Sequence, residues 1–209
     1  MGVTIHYRGQ LADVGKLKAL CDELVQIVEK MNWTYSRLDE DWSKSADVKL
    51  EHDERGAHIV GDLGLKGISF KPHPRCESVS IFFNCDGKLF DPLGVVLISE
   101  GSLKPEDAWI AVKTQFAGPE THMWIVGLLK YLKEHYIPDL EARDEGEYWE
   151  TGDFEVLKEK INFLNEKMEA VSGELSRVTG THLERLSPEE LASMIEALLQ
   201  HKFSNQEGE

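Results

Sequence analysis

The sequence predicts an α+β fold: a mixed, largely antiparallel sheet covered by two amphipathic helices, with a C-terminal helical extension. Three observations carry that expectation. Short stretches alternate apolar and polar residues between Gly and Pro punctuation, which is strand patterning. Two longer stretches return an apolar residue every third or fourth position, as a helix with one buried face requires. From Asp153 onward the apolar residues settle into a 3, 4, 3, 4 rhythm, a heptad seam. The expected organisation is an α+β domain over 1–150, a helical extension over 151–203 and a polar, frayed tail over 204–209.

Val3, Ile5 and Tyr7 alternate with polar neighbours, so VTIHYRG reads as the first strand. Asp13 offers a capping carboxylate to a helix over 14–31. Leu17, Leu20, Cys21, Leu24, Ile27, Val28 and Met31 fall on one side of that helix, and Cys21 reads as a buried thiol packing as a small hydrophobe. DVKLEHD, GAHIVGD, KGISFKP and SVSIFFNC then read as strands. SIFFNCDGKLF predicts a hairpin with Asp86-Gly87 in a type I′ turn, which sets Phe83 opposite Phe90. GVVLIS and WIAVKTQF, 109–116, are read as further strands.

Gly118-Pro119 opens a helix over 119–137, with Ile125, Leu128, Leu129, Leu132 and Tyr136 on its apolar side and Pro138 ending it. LEARDE follows as a short strand. The heptad seam is Phe154, Leu157, Ile161, Leu164, Met168, Val171 and Leu175, widened by Val156, Phe163 and Ala170. Ser187-Pro188-Glu189-Glu190 starts a second helix carrying Leu191, Met194, Ile195, Leu198 and Leu199.

With 209 residues the chain suits one domain with an appendage, or two small domains. A net charge of −15 argues against nucleic acid and anionic membrane surfaces as partners, and favours solubility and a basic partner. The sequence offers no apolar run of the roughly 18 residues a membrane helix needs. MGVTIHYRGQ does not resemble a secretory leader, and three cysteines make no disulfide framework, so a reducing, cytoplasmic setting is expected.

The sequence holds no Gly-rich phosphate loop, no G-x-S-x-G, no H-E-x-x-H and no calcium loop, so neither a catalytic activity nor a cofactor is readable from it. His73, Cys76 and Cys85 lack the second close ligand pair that zinc demands, and no metal is expected. His52 and His58 read as exposed strand residues.

The acidic stretch DEGEYWETGD, 144–153, has two readings. In the first it is a helix start: a turn at Gly146, Tyr148 and Trp149 as anchors, and Asp153 as the cap. The second comes from topology. If WIAVKTQF and LEARDE run parallel in a β-α-β unit, their carboxyl ends share a rim with the start of the 119–137 helix, where ligands tend to bind. That rim holds Lys113, Gln115, Thr121 and His122 on one side and Asp144, Glu145 and Glu147 on the other. Helix-start amides suit an anion and the carboxylates a cation, so a polar ligand or an internal ion pair is expected. His122 is the general acid or base available there. The heptad seam either packs within the chain, against the 188–203 helix or the domain, or pairs with another subunit, and Asn165 and Ser172 beside it weaken the second reading. The sequence thus suggests a binding or assembly module, with self-association or a protein partner through 154–203 as the intermolecular reading. The alternative is an enzyme or polar-ligand binder at that rim.

Overall fold

The computed structural model describes residues 3–54 and 56–178. The helix expected from Ser187 and the 204–209 tail lie outside the described residues, as do the side chains of Met168, Val171 and Leu175. The chain runs β1 (Thr4–Arg8), α1 (Leu17–Lys30), β2 (Thr34–Asp39), β3 (Asp47–Asp53), β4 (Gly56–Asp62), β5 (Lys66–Lys71), β6 (Val79–Phe83), β7 (Leu89–Phe90), α2 (Pro92–Ser99), β8 (Ile110–Lys113), α3 (Pro119–His135), β9 (Glu141–Asp144), α4 (Tyr148–Thr151) and α5 (Phe154–Val178). Short 3-10 turns occupy Val14–Lys16 and Pro105–Asp107. This is an α+β fold. Among the described residues every paired strand is antiparallel, and the strands fall into three sheets, ordered β8-β1-β9, β2-β5-β6-β7 and β3-β4. Two compact units are distinguished, Met1–Lys158 and Glu159–Glu209. Of the second, the described residues continue helix α5.

β1 is the centre of its sheet. It pairs with β8 through Ile5↔Val112 and with β9 through Ile5↔Asp144. Because both partners oppose β1, β8 and β9 run in the same direction, joined by the crossover helix α3. The β-α-β unit is present, but β1 lies between its strands. Alternation sends Ile5, Tyr7, Ile110 and Val112 inward, all buried. Leu20, Cys21, Leu24 and Val28 of α1 and Ile125, Leu129 and Leu132 of α3 meet them in one core, shared with Ile68, Phe70, Ile81 and Phe83 of the second sheet. Each such large apolar side chain stabilises the fold by about 1.5–3 kcal/mol.

Tyr7 ties the two sheets. Its buried hydroxyl donates to Ser80 O at 2.8 Å and accepts from Ser80 N at 3.1 Å. Beyond β1 the chain meets the β6–β7 hairpin, where Leu89 N donates to Gly9 O and Leu11 N to Gly87 O.

Three local expectations are corrected. GVVLIS is helical, within α2: Asp91 accepts from Gly94 N at 2.5 Å, and Pro92 takes the first turn. That start signal outweighs the β-branched run. The β6–β7 pairs are Phe82↔Phe90 and Phe83↔Leu89, so Phe83 does not face Phe90. A type I′ turn needs positive φ at both central residues. Among the described non-glycine residues only Asn32 and Glu147 have it, and Asp86 does not. Instead Asn84 Oδ1 accepts from Asp86 N and Lys88 N, lengthening the loop by its own side chain, and Gly87 takes φ 78°. The shifted register directs Phe83 to the main core, while Phe82 and Phe90 bury against Leu65. Finally, β2 is an additional edge strand, largely exposed and therefore without an apolar alternation to announce it.

Candidate functional site

The sheet pleat divides the residues expected at the β8–α3–β9 rim between two faces. Thr114 follows Ile110 and Val112 inward, and Asp144 is buried beside them, whereas Lys113 is half-buried and Glu145 exposed on alternate positions. His122, on the first turns of α3, is 0% exposed and bridges the two inward groups. Its Nε2 lies 3.0 Å from Asp144 Oδ2 and its Nδ1 lies 2.7 Å from Thr114 Oγ1. Asp144 also accepts from Gly146 N at 2.7 Å and Trp149 N at 2.9 Å.

Burial pushes the Asp144 carboxyl up, but the hydrogen bond and charge of His122 and the two backbone donors outweigh it and hold the group below the usual carboxylate range. The ionised carboxylate is acceptor-only, so Nε2 carries a hydrogen. Thr114 Oγ1 also sits 3.2 Å from Val3 O. The hydroxyl hydrogen goes to Nδ1 when the ring is neutral and to Val3 O when the ring is doubly protonated. Val3 O accepts from the amides of Thr114 and Gln115 in either state, so no group is orphaned. Gly146 makes this packing possible: a Cβ there would stand 2.7 Å from Leu157 Cδ1 and 3.0 Å from His122 Cε1.

The remaining rim residues turn to other partners. Lys113 N donates to Glu77 Oε2 at 2.7 Å, and its ammonium lies 5.4 Å from the Phe116 ring centroid. Gln115 is buried. Thr121 Oγ1 donates to Ala117 O. Glu145 continues the ladder with Thr4, its N–H donating to Thr4 O and its carboxylate accepting from Thr4 N. Glu147 holds φ 61°, and its N–H donates to Asp144 O. At the far end of the acidic stretch Asp153 Oδ1 accepts from Glu155 N and Val156 N, at the start of α5. The structure therefore joins His122 and Asp144, adds Thr114 to them, and gives Lys113 and Glu145 other neighbours.

A second locus lies in a cavity of about 290 Å³. Five separate segments build it: Trp42–Ala46 after β2, Leu63–Leu65 between β4 and β5, the Asn84–Lys88 turn with Phe90, α2 through Val95 and Ile98, and Pro105. Glu40 clamps the first two together, its N–H donating to Leu65 O and its carboxylate accepting from Leu65 N at 2.8 Å. Leu63, Leu65, Phe90, Val95 and Ile98 give the walls an apolar character. Trp42 is half-buried, with the Lys66 ammonium 5.3 Å from its ring. Its Nε1 is buried and, among the described residues, has no hydrogen-bond partner. Free Cys85 is exposed at the rim.

Nothing in the sequence singled out this cavity. Its residues share no motif, and they meet only through the pairing of β5 with β2 and β6. The one local signal is Trp42 itself, a large aromatic inside the polar run DEDWSKS.

Among the described residues no three His, Cys, Asp or Glu side chains stand together as a metal site, and no helix is long and apolar enough to cross a membrane. Comparison with protein-family models, curated proteins and solved structures finds no match.

Proposed function

We propose that this chain is a binding module without chemistry of its own, and that its ligand occupies the cavity beside Trp42. The observation that carries this reading is the cavity itself: about 290 Å³ of space with Leu63, Leu65, Phe90, Val95 and Ile98 in its walls, Trp42 in its lining and Lys88 at its edge. An apolar-walled cavity with a few polar groups at its margin suits a small molecule. The test is a fragment screen read on the Trp42 indole resonance in ¹⁵N–¹H NMR spectra, assigned by its loss in Trp42→Phe. A supporting hit moves that resonance and binds more weakly to Trp42→Phe. Hits that ignore both, or a screen without hits, refute the reading.

A second reading, chemistry at the β8–α3–β9 rim, draws on the hydroxyl–imidazole–carboxylate series Thr114–His122–Asp144. Thr114 and His122 are 0% exposed, so a substrate would have to open the core to reach them. A ligand-shift screen on wild type and on Lys113→Ala/Glu147→Ala decides it: a ligand that stabilises only the wild type supports the rim. The heptad spacing from Phe154 supports self-association or a protein partner through 154–203. Sedimentation velocity of the full chain over a concentration series tests the first of these. Three free thiols support a cytoplasmic setting.

A further inference from the structure

Resting on the cavity reading, we propose that the ligand is a small amphiphilic monocarboxylate, its apolar body in the cavity and its anionic head held by the Lys88 ammonium. Three observations point there.

The first is size. A volume of about 290 Å³ equals about ten water volumes of ~30 Å³ each, enough for a ligand of about ten non-hydrogen atoms. The second is wall chemistry. Leu63, Leu65, Phe90, Val95 and Ile98 line the cavity, and Leu65 and Phe90 are buried, so the body of the ligand is apolar.

The third is charge. The chain as a whole carries 38 acidic against 23 basic residues, yet the ionised side chains lining this cavity are Lys44, Lys88 and Asp86, two cations against one anion. Asp86 is engaged with Asn84, its Oδ2 accepting from Nδ2 at 3.5 Å. Lys44 lies 3.9 Å from Asp41, a loose pair. Lys88 makes no ion pair with any described residue, while its backbone is fixed by Lys88 N to Asn84 Oδ1 at 2.9 Å and Asn84 N to Lys88 O at 3.0 Å. A cation on a pinned turn at one edge of an apolar cavity matches a carboxylate on an apolar body. A cationic head would meet repulsion from Lys88.

The test compares octanoate with its neutral isostere octanamide by calorimetry and by the Trp42 indole resonance, using the full chain as wild type and as Lys88→Met. Octanoate is expected to bind about tenfold more tightly than octanamide, the margin between charged and neutral hydrogen bonds. Lys88→Met removes that margin, so that the two probes bind it with similar affinity. Lys88 is exposed, so this variant keeps its fold. If octanamide moves the Trp42 resonance and binds as tightly as octanoate, or Lys88→Met leaves octanoate affinity intact, the anionic head is overturned while the cavity reading stands. If neither probe moves the resonance but other neutral fragments do, the carboxylate is again the part that fails. If no compound of any class moves it, both fail together.

Discussion

Replacing Asp144 with Ala removes the acceptor on which three segments converge. The carboxylate takes hydrogen bonds from His122 Nε2 at 3.0 Å, Gly146 N at 2.7 Å and Trp149 N at 2.9 Å, and the His122 and Asp144 side chains are both 0% exposed. Leaving a buried donor without its acceptor costs about 1–3 kcal/mol, and this substitution strands His122 Nε2 in the core. For a chain of this length, 2–4 °C per kcal/mol turns that into a fall in Tm of roughly 2–12 °C. The assay is urea unfolding of wild type and Asp144→Ala at neutral and acid pH.

The direction with pH follows from the lowered carboxyl. Its folded-state value lies below the unfolded one of about 3.9, so between the two the unfolded chain binds more protons. The stabilisation is complete above the unfolded value and is lost as pH falls through the folded value. The gap between wild type and Asp144→Ala should therefore narrow as the solution is acidified. A loss under about 1 kcal/mol at neutral pH, or a gap that widens toward acid, would refute the assignment of His122–Asp144 as the clasp of the β8–α3–β9 unit.

Tyr7→Phe removes a hydroxyl that both donates to and accepts from Ser80, and should cost about 1–3 kcal/mol in chemical denaturation. Gly67→Ala drives a Cβ into Ile81 O at φ 146° in β5, a clash with backbone that cannot yield. It should destabilise by more than about 1 kcal/mol, read as a lower urea midpoint at unchanged m. Glu23 accepts from the hydroxyls of Tyr131 and Tyr136, and its hydrogen bond pushes the Tyr136 phenol up to about 12. Glu23→Gln should return that phenol toward about 10 in ultraviolet titration. Trp42→Phe, which deletes an unmet buried donor, should leave the empty protein as stable as wild type or about 1 kcal/mol more so, measured by thermal denaturation without added ligand.

Periodicity carried those parts of the fold whose stability is decided locally. β3 and β4 begin and end where DVKLEHD and GAHIVGD do, because alternation and flanking Gly define a hairpin without help from the rest of the chain. The stripes of α1 and α3 were legible because each buries one face. The direction of β8 and β9 followed from the crossover helix between them. The insertion of β1 between those strands did not follow, because pairing across more than a hundred residues leaves no trace in local pattern. GVVLIS misled because a β-branched apolar run is compatible with either state, and the deciding residues, Asp91 and Pro92, stand just before it. At the rim, His122 and Asp144 were legible as neighbours, but the role of Thr114 depends on strand pleat. That pleat turns Thr114 inward and Lys113 out.

The two polar loci differ in the property that separates a structural network from a site. At Thr114–His122–Asp144 every donor and acceptor is met from within the chain, in either proton state of the ring, and the packing around Gly146 leaves no room for another atom. A ligand arriving there would have to replace hydrogen bonds already made, with no net gain in their number. In the cavity beside Trp42 there is space, and Lys88 stands at the margin without a counter-charge among the described residues. A ligand arriving there adds an ion contact that the free protein lacks. Affinity comes from interactions the free protein lacks. On that ground the cavity, rather than the better-ordered triad, is where binding free energy is available, and the triad's burial is better spent holding β1, α3 and β9 in register.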